Sequence, residues 1–446
     1  MRIHFIAIGG AVMHNLALAL HYKGFKISGS DDNIYEPAKT RLKNAGILPS
    51  EEGWNKEKIT NEIDAIILGM HARNDNPELQ RANELGIKVY SFPEFLYEQT
   101  KNKKRIVIAG SHGKTTITSM ILHVLKTFHY QFDYMVGAQI EGFDTMVGLS
   151  NESEIAIFEG DEYTTSPLDL RPKFVHYKPH IAVISGIEWD HINVYPTFDE
   201  YKNQFKILLH EVKDMQGKAF IFGDDEHLKS INNDSEINVS PYYTPEYIVE
   251  DFKFQLILNN KKYPLQIFGK HNMQNLEAAR LVCESIGIQT TAFYEAMQNF
   301  SGAAKRLEPI CKKENLIVYR DFAHAPSKLK ATIQAIKELY PNKKITAIYE
   351  LHTFSSLNKD FIQQYFGAMN GIQQAFVYYS SETILQKKME LMSNEFIAKC
   401  FGIEQTQIIN DKATIKSQIL QCSKQSEVLL LMSSGTFDGF DFNLIM

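Results

Sequence analysis

Eight short apolar runs, most of them ending in glycine or acidic residues, recur along the chain with amphipathic stretches between them. They read IHFIAIGG, DAIILGM, RIVIAGSHG, EIAIFEGDE, IAVISGIEWDH, LIVYRDFAH, ITAIYEL and VLLLMSSG. Buried strands that alternate with helices are typical of parallel sheets covered on both faces. Ligands bind such sheets beyond the carboxyl ends of the strands, so the residues after each run are candidate functional residues. The pattern therefore predicts an α/β fold.

The length of 446 residues exceeds what one hydrophobic core usually covers. At about 150 residues per domain, it predicts roughly three domains. The charged stretch Lys101–Arg105 precedes a new strand, and near Gly302 a helical segment gives way to another series of strands and helices. Between them, FKFQLILNNKKYPLQIFG is typical of an antiparallel hairpin that turns at Asn259 and Asn260. The predicted domains are residues 1–100, 101–302 and 303–446.

Composition and charge exclude several classes of protein. Hydrophobic residues make up 44% and charged residues 22% of the chain, as in ordinary globular proteins. With a net charge of -6, the chain lacks the excess of lysine and arginine that nucleic-acid binding needs. No apolar run approaches the roughly 18 residues of a membrane span. The cysteines lack the short spacing of metal or redox sites; they are Cys283, Cys311, Cys400 and Cys422. We therefore expect a cytoplasmic protein that binds neither nucleic acid nor membrane.

A glycine-rich loop follows the run RIVIAG and leads into the apolar-periodic helix ITSMILHVL. Glycines allow close backbone approach, a helix N-terminus attracts anions, a lysine can reach terminal phosphates and a threonine hydroxyl can bind magnesium. Two residues separate the glycines instead of the usual four, and the alternative is a glycine turn followed by an exposed lysine. We interpret the loop as an ATP-binding loop formed by Gly110, Ser111, His112, Gly113, Lys114, Thr115 and Thr116.

Acidic residues follow two later strands, in EGDE and in GIEWDH. Glu159 belongs to the first motif, and His191 ends the second. Because Mg²⁺ prefers oxygen ligands, Glu159 is the natural partner of Thr115, and His191 could complete a second metal shell. Acidic residues at strand ends are often only solvated or capping. Their recurrence on successive strands after a phosphate loop favours a magnesium-ATP site.

Six motifs occur in the order and spacing of one enzyme family: GSHGKTT, EGDE, GIEWDH, GKHNMQN, GAAKRLE and RDFAHAP. Over essentially its whole length the chain resembles the Mur ligases, which use ATP to activate a carboxylate as an acyl phosphate and pass it to an amine. The resemblance implies three domains. These are a Rossmann-like N-terminal domain that binds a UDP-sugar, a central P-loop ATPase with a mainly parallel sheet, and a Rossmann-like C-terminal domain that receives the amine.

The resemblance also implies roles for individual residues, with ATP and Mg²⁺ as cofactors. Lys114 would bind the transferring phosphate. Magnesium would be held by Thr115, Glu159 and His191, and the catalytic residues would be Lys114, Glu159 and His191. Further contacts to ATP would come from Asn272, Asn275, Arg306, Asp321 and His324. Several family members carry a carbamylated lysine at the spacing of Lys206, but a solvated lysine on an amphipathic helix is the interpretation that we favour here.

The first strand and helix are separated by IGG, as in family members that act on UDP-N-acetylmuramate. Glycines would let the backbone approach a diphosphate, and an acidic residue after the second strand could hold a ribose hydroxyl. The candidate residues are Gly9, Gly10, Ser30 and Asp31. Ala7 and Val12 stand where the fuller pattern has glycines, so a structural turn is the alternative. An NAD-dependent oxidoreductase would also explain this start, but it leaves GSHGKTT unexplained.

Two groups of Mur ligases share this first domain, one adding L-alanine and one adding L-alanyl-γ-D-glutamyl-meso-diaminopimelate in peptidoglycan recycling. The segment DEYTTSPLDLRPKFVHYKP, the ending MSSGTFDG and Glu350 are more similar to the second group. Arg171 and Lys173 are candidates only for binding the carboxylates of the peptide, because basic residues in a loop are more often solvated. We therefore expect a ligase that joins this tripeptide to UDP-N-acetylmuramate. The first alternative is an L-alanine ligase, and a nucleotide-regulated binding module without chemistry is another.

Overall fold

The computed structural model describes residues 1–70, 72–166, 169–189, 194–231, 237–302 and 307–445. The chain divides into two compact units. The first consists of Met1–Tyr243 and Asn275–Met297, and the second of Thr244–Gln274 and Gln298–Met446. None of the helices in the described ranges combines the length and the hydropathy that a bilayer crossing needs.

The N-terminal part of the first unit is a four-stranded parallel sheet whose strands alternate with helices. Its strands are β1 (Arg2–Ile6), β2 (Lys26–Ser30), β3 (Ala65–Leu68) and β4 (Lys88–Ser91). Its helices are α1 (Ala11–Tyr22), α2 (Ala38–Asn44), α3 (Pro77–Glu84) and α4 (Phe92–Thr100). The spatial order is β2-β1-β3-β4, and all four residues of β3 are buried, as in strands covered on both faces.

The central part of the chain adds nine strands. They are β5 (Lys104–Ala109), β6 (Phe132–Met135), β7 (Val147–Gly148), β8 (Ile155–Glu159), β9 (Thr164–Ser166), β10 (Asp169–Pro172), β11 (Ile181–Ile184), β12 (Lys218–Phe222) and β13 (Val239–Tyr242). The helices that follow along the chain are α5 (Lys114–Thr127), α6 (Phe198–Asp214), α7 (Glu226–Ile231), α8 (Lys270–Ser285) and α9 (Thr290–Met297). Seven strands form one sheet in the order β13-β12-β11-β5-β8-β6-β7, which is parallel except for the β6 and β7 pair. Strands β9 and β10 pair separately as an antiparallel ribbon.

The second unit contains two sheets. An antiparallel sheet consists of β14 (Tyr247–Glu250), β15 (Lys253–Leu258) and β16 (Lys261–Pro264). The larger sheet consists of β17 (Glu308–Lys313), β18 (Leu316–Asp321), β19 (Ile345–Leu351), β20 (Gln374–Tyr379), β21 (Ile408–Ile409) and β22 (Val428–Met432). Its order is β17-β18-β22-β19-β20-β21, parallel except for β17 and β18. The helices are α10 (Pro326–Leu339), α11 (Ser381–Gln386), α12 (Asn394–Phe401) and α13 (Lys412–Gln425).

All eight apolar runs form strands with parallel partners, so the prediction of an α/β fold is confirmed. The predicted hairpin also forms. Asn259 and Asn260 have φ of 49° and 63°, the left-handed pair of a two-residue hairpin turn. The domain boundaries stay predictions, because compactness groups Thr244–Gln274 with the C-terminal part of the chain. All four cysteines are buried and free.

A buried arginine anchors the start of β5, the strand that leads into the glycine-rich loop. Arg105 is only 1% exposed, and its guanidinium lies 5.1 Å from the ring centre of Tyr97. It donates hydrogen bonds to five backbone carbonyl groups, those of Thr100, Lys101, Lys103, Tyr177 and Lys178. Arginine suits this place because its planar fork offers several donors at once. The side chain therefore joins the end of α4 and the segment before β11 to β5.

Replacing this arginine should destabilise the first unit. In Arg105→Met the carbonyl groups lose their charged donor inside the protein, so we expect the free energy of unfolding to fall by about 3 kcal/mol or more. The measurement is the midpoint of thermal or denaturant unfolding. Lys104→Met is the matched control, because Lys104 is exposed on the same strand. Equal midpoints for the two variants would contradict the anchoring role of Arg105.

Candidate functional site

The loop between β5 and α5 has a backbone that only glycine fits at two places. Gly110 has φ of 117°, and a Cβ there would lie 2.4 Å from the Ser185 hydroxyl oxygen. Gly113, directly before α5, has φ of 77°, and its Cβ would lie 2.2 Å from Asn275 Oδ1. The backbone N–H groups of the first turn of a helix have no partner within the helix, and they attract anions. The loop therefore has the form of a phosphate cradle.

Lys114, the first residue of α5, is turned toward a cluster of carboxylates. Its Nζ donates to the Gly110 carbonyl at 2.8 Å and to Glu162 Oε2 at 2.8 Å. Burial by itself lowers the pKa of Lys114, but the charges of Glu162, Asp161 and Glu159 outweigh it, so the pKa stands above its ordinary value. The side chain therefore carries a positive charge beside the phosphate cradle.

Thr115 and Glu159 are in direct contact. The Thr115 hydroxyl donates to Glu159 Oε1 at 2.9 Å, and the Gly137 backbone N–H donates to Glu159 Oε2 at 2.7 Å. Glu159 is the last residue of β8, which is the sheet neighbour of β5. A hydroxyl and a carboxylate are oxygen ligands of the kind that Mg²⁺ prefers. The residues present thus fit a magnesium-bound triphosphate, and their role as ligands stays a prediction.

The remaining loop side chains tie the loop to the segment after β11. The Ser111 hydroxyl donates to the Glu188 carbonyl at 2.8 Å and accepts from the Glu188 N–H at 2.8 Å. The His112 ring lies 2.9 Å from the Glu188 carboxylate, measured from Nε2 to Oε2. Thr116 is buried in the first turn of α5. His191, the predicted metal ligand of the same motif, lies outside the described residues.

The four candidate residues for the UDP-sugar come together at the end of β1 and β2. The Gly9 N–H donates to Asp31 Oδ2 at 2.7 Å, and the Ser30 carbonyl accepts from the Ala7 N–H at 2.9 Å. Gly10 directly precedes α1. Ala7 holds φ of 68°, which explains why the fuller motif has glycine at this position. Burial raises the pKa of Asp31 above its ordinary value, although the hydrogen bond from the Gly9 backbone N–H acts to lower it. Their binding role stays a prediction.

Three of the candidate ATP-binding residues lie in the described part of the second unit and make hydrogen bonds inside that unit. Asn272 donates from its side chain to the Phe268 carbonyl at 2.9 Å. The His324 ring lies 3.0 Å from the Phe322 carbonyl oxygen, measured from Nδ1. Asp321 accepts from Leu307 N, Ala323 N and Thr332 Oγ1. Asn275 lies in the first unit, beside Gly113. Arg306 lies outside the described residues, and the contacts of these side chains with ATP stay predictions.

Sequence reasoning assigned no role to Glu162, which is 1% exposed and holds Lys114. Its only local signal is its place as the fourth residue of EGDE, where four polar or glycine positions follow a buried strand. Lys173 also differs from a solvated loop residue, since it is buried and paired with Asp161. Arg171 is 60% exposed and pairs with Asp169. Lys206 is exposed on α6, in agreement with the solvated interpretation.

Proteins and family models similar to this chain cover nearly all of it. The models match as follows: Mur ligase family, catalytic domain, over residues 2–104; Mur ligase middle domain over residues 108–283; and Mur ligase, glutamate ligase domain, over residues 305–435. The UDP-N-acetylmuramate–L-alanine ligase of Clostridium botulinum strain Hall is 30% identical over 453 residues, which cover 97% of this chain and 95% of that protein. The ligase of the same name from Caldicellulosiruptor bescii is 32% identical, covering 79% of this chain and 78% of that protein.

Solved structures give the same likeness. UDP-N-acetylmuramate-alanine ligase from Thermotoga maritima has a TM-score of 0.71 at 20% identity, covering 100% of this chain and 98% of that chain. Murein peptide ligase from Psychrobacter arcticus has a TM-score of 0.67 at 23% identity, with the same coverage. UDP-N-acetylmuramate:L-alanyl-gamma-D-glutamyl-meso-diaminopimelate ligase from Neisseria meningitides has a TM-score of 0.60 at 27% identity, covering 67% of this chain and 98% of that chain. The first two likenesses concern the fold alone.

Lys114→Ala should remove most phosphate release while the protein stays folded. Losing one charge of this kind at a transferring phosphate typically costs about a hundredfold or more in rate. The melting temperature should also fall, because buried Glu162 loses its cation. Lys126→Ala is the matched control, since Lys126 is exposed near the end of the same helix. A folded Lys114→Ala protein with near-normal turnover would place Lys114 away from the phosphates.

Glu159→Ala should raise the Mg²⁺ concentration that gives half-maximal phosphate release, because an oxygen ligand is lost. Glu154→Ala is the control, since Glu154 is exposed just before the amino end of β8 and Glu159 forms its carboxyl end. His191→Ala tests the second predicted ligand in the same titration. Magnesium curves identical to that of the unmodified protein would remove the substituted residue from the metal shell.

Proposed function

The chain belongs to the Mur ligase family of ATP-dependent, ADP-forming amide ligases, and from this premise we propose that it joins UDP-N-acetylmuramate to L-alanine. The family resemblance, the three-domain α/β architecture and the need for ATP and Mg²⁺ predicted from the motifs are confirmed. The alternatives of an NAD-dependent oxidoreductase and of a binding module without chemistry are therefore wrong. The cluster of Lys114, Thr115 and Glu159 at the glycine-rich loop is the observation that carries the ligase chemistry, and the named relatives carry the choice of amine.

The cluster suits the activation of a carboxylate. A carboxylate is a poor electrophile until phosphoryl transfer gives it a leaving group, and phosphoryl transfer depends on charge stabilisation at crowded oxygens. Lys114 and the first amides of α5 would hold the terminal phosphates, while Thr115 and Glu159 would hold Mg²⁺. When bound, Mg²⁺ supplies positive charge between the phosphates. The amine then attacks the acyl phosphate, and phosphate leaves as the amide forms.

The N-terminal sheet supplies the proposed site for UDP-N-acetylmuramate. Gly9 and Gly10 bring backbone close to the start of α1, where a helix N-terminus attracts a diphosphate. Asp31 stands at the end of β2 within hydrogen-bond distance of Gly9, in the position that suits a ribose hydroxyl. We place these contacts in the same proposal because the named relatives act on this nucleotide sugar.

L-alanine is proposed as the amine because of the curated relatives. The two proteins described above are both UDP-N-acetylmuramate–L-alanine ligases, and one of them matches 97% of this chain at 30% identity. This ranking reverses the expectation drawn from the segment after EGDE, which favoured the tripeptide. Similarity in one short segment carries less weight than likeness over a whole chain, because a few residues diverge more easily than three domains.

The tripeptide L-alanyl-γ-D-glutamyl-meso-diaminopimelate is the second candidate. Support for it comes from the segment Asp161–Tyr177 and from the likeness to the Neisseria meningitides ligase that is named for this substrate. Within the segment, Arg171 is exposed and paired with Asp169, while Lys173 is buried and paired with Asp161. Both candidates present an L-alanyl amine, so the reacting end would be the same.

We also propose that the enzyme acts in the cytoplasm, where ATP is available. Its four cysteines are buried and free, which agrees with a reducing compartment.

Comparing the two amines tests the proposal. We expect phosphate release with ATP, Mg²⁺ and UDP-N-acetylmuramate to depend on added amine, with a higher kcat/KM for L-alanine than for the tripeptide. Remote groups of a true tripeptide substrate would instead help to orient its amine, so free alanine would then lose rate as well as affinity. A higher kcat/KM for the tripeptide would select the second candidate. If neither amine supports phosphate release, both candidates are contradicted.

A further inference from the structure

We propose that Glu162 is a positioning residue that aims the Lys114 ammonium at the phosphates of ATP. The inference rests on the proposed role of Lys114 in phosphate binding. Glu162 itself would touch neither ATP nor the amine. It would act through Lys114, by holding the ammonium in one place before the nucleotide binds.

The carboxylate of Glu162 is fixed from three directions. It is 1% exposed, and one oxygen accepts from Lys114 Nζ at 2.8 Å while the other accepts from the Tyr201 hydroxyl at 3.0 Å. The backbone carbonyl of the same residue accepts from the Tyr195 hydroxyl at 2.6 Å. A buried carboxylate with both oxygens engaged cannot turn away without leaving a partner unsatisfied, which is costly. Glu162 is therefore a fixed anion beneath the loop.

The same network reaches the phosphate loop from its other side. The Tyr201 hydroxyl lies 2.9 Å from the Ser111 hydroxyl, and the Ser111 oxygen accepts from the Glu188 N–H at 2.8 Å. Tyr201 is wholly buried on α6. Helix α6, the loop and the segment after β8 thus fix one another around Lys114.

Donor geometry shows how the ammonium would be aimed. A lysine ammonium has three N–H donors. Within the described residues, Lys114 donates one to the Gly110 carbonyl and one to Glu162. The third donor is then directed away from these two acceptors, where it would meet a phosphate oxygen of the bound nucleotide. Lysine otherwise has a long flexible stem, and holding it in advance avoids reorganisation during the reaction.

Glu162→Gln is the central test, because glutamine keeps the volume and can still accept from Tyr201 while the charge is lost. Phosphate release at a series of ATP concentrations, with a melting curve beside it, gives kcat and the KM for ATP separately. We expect kcat to fall by about tenfold or more, the cost of a misplaced electrostatic contact, while the KM for ATP changes much less. Tyr201→Phe keeps the carboxylate and removes the hydroxyl that contacts both Glu162 and Ser111, so it should lose less kcat than Glu162→Gln.

A conservative variant completes the test. Glu162→Asp keeps the charge but draws the carboxylate back by one methylene. It should therefore lose kcat although its charge is kept, which separates placement from charge and serves also if the glutamine variant folds poorly.

Two results would overturn the inference. An unchanged kcat in a folded Glu162→Gln protein would mean that Glu162 does not position the ammonium for phosphoryl transfer. A full kcat in Glu162→Asp would mean that the charge matters and its placement does not. In the first case, normal turnover in Lys114→Ala would assign the failure to the proposed role of Lys114, whereas loss of turnover there would assign it to Glu162 alone.

Discussion

Parallel pairing of β5 with β8 on one side and with β11 on the other decides where the candidate site lies. In this register Ile108 is opposite Glu159, and Ala109 is opposite Ile184, so the loop after β5 leaves the sheet level with the ends of both neighbours. The Ser111 N–H donates to the Gly186 carbonyl at 2.9 Å, which holds the loop against the segment after β11. Lysine and carboxylates therefore meet because three strands end at one edge.

That meeting places an ammonium among carboxylates where much of the water is excluded. Burying charges costs free energy that pairing only partly offsets, so such a cluster is a poor way to stabilise a fold. It is a good way to keep charges in place before a phosphate-bearing substrate arrives. The hydrogen bonds from Thr115 and Gly137 to Glu159, and from Tyr201 to Glu162, satisfy the carboxylates in the meantime. The cluster therefore contributes little to the stability of the fold, but it holds these charged groups in place before the substrate binds.

The architecture does not by itself choose the amine. The Thermotoga maritima alanine ligase and the Psychrobacter arcticus murein peptide ligase have similar TM-scores to this chain, 0.71 and 0.67. Functions of related proteins diverge through the side chains placed on a common fold. The segment Asp161–Tyr177 is the part of this chain whose sequence supports the tripeptide candidate. There Arg171 and His176 lie close to Asp169 and to Glu94 at the start of α4.

Local signals in the sequence determined the strands of the eight apolar runs, the hairpin and the loop. Apolar runs of five or six residues specify buried strands wherever they pair, and Asn259 and Asn260 specify their turn because both tolerate a left-handed backbone. The sequence alone did not identify the carboxylate that pairs with Lys114. Glu162 is 48 residues away in sequence, and several acidic residues at strand ends were equal candidates. Lys173 was expected to be solvated for a similar reason, although it is buried on Asp161. Which side chains meet depends on strand order and on the packing of α6, and these are properties of the whole sheet that no local pattern contains.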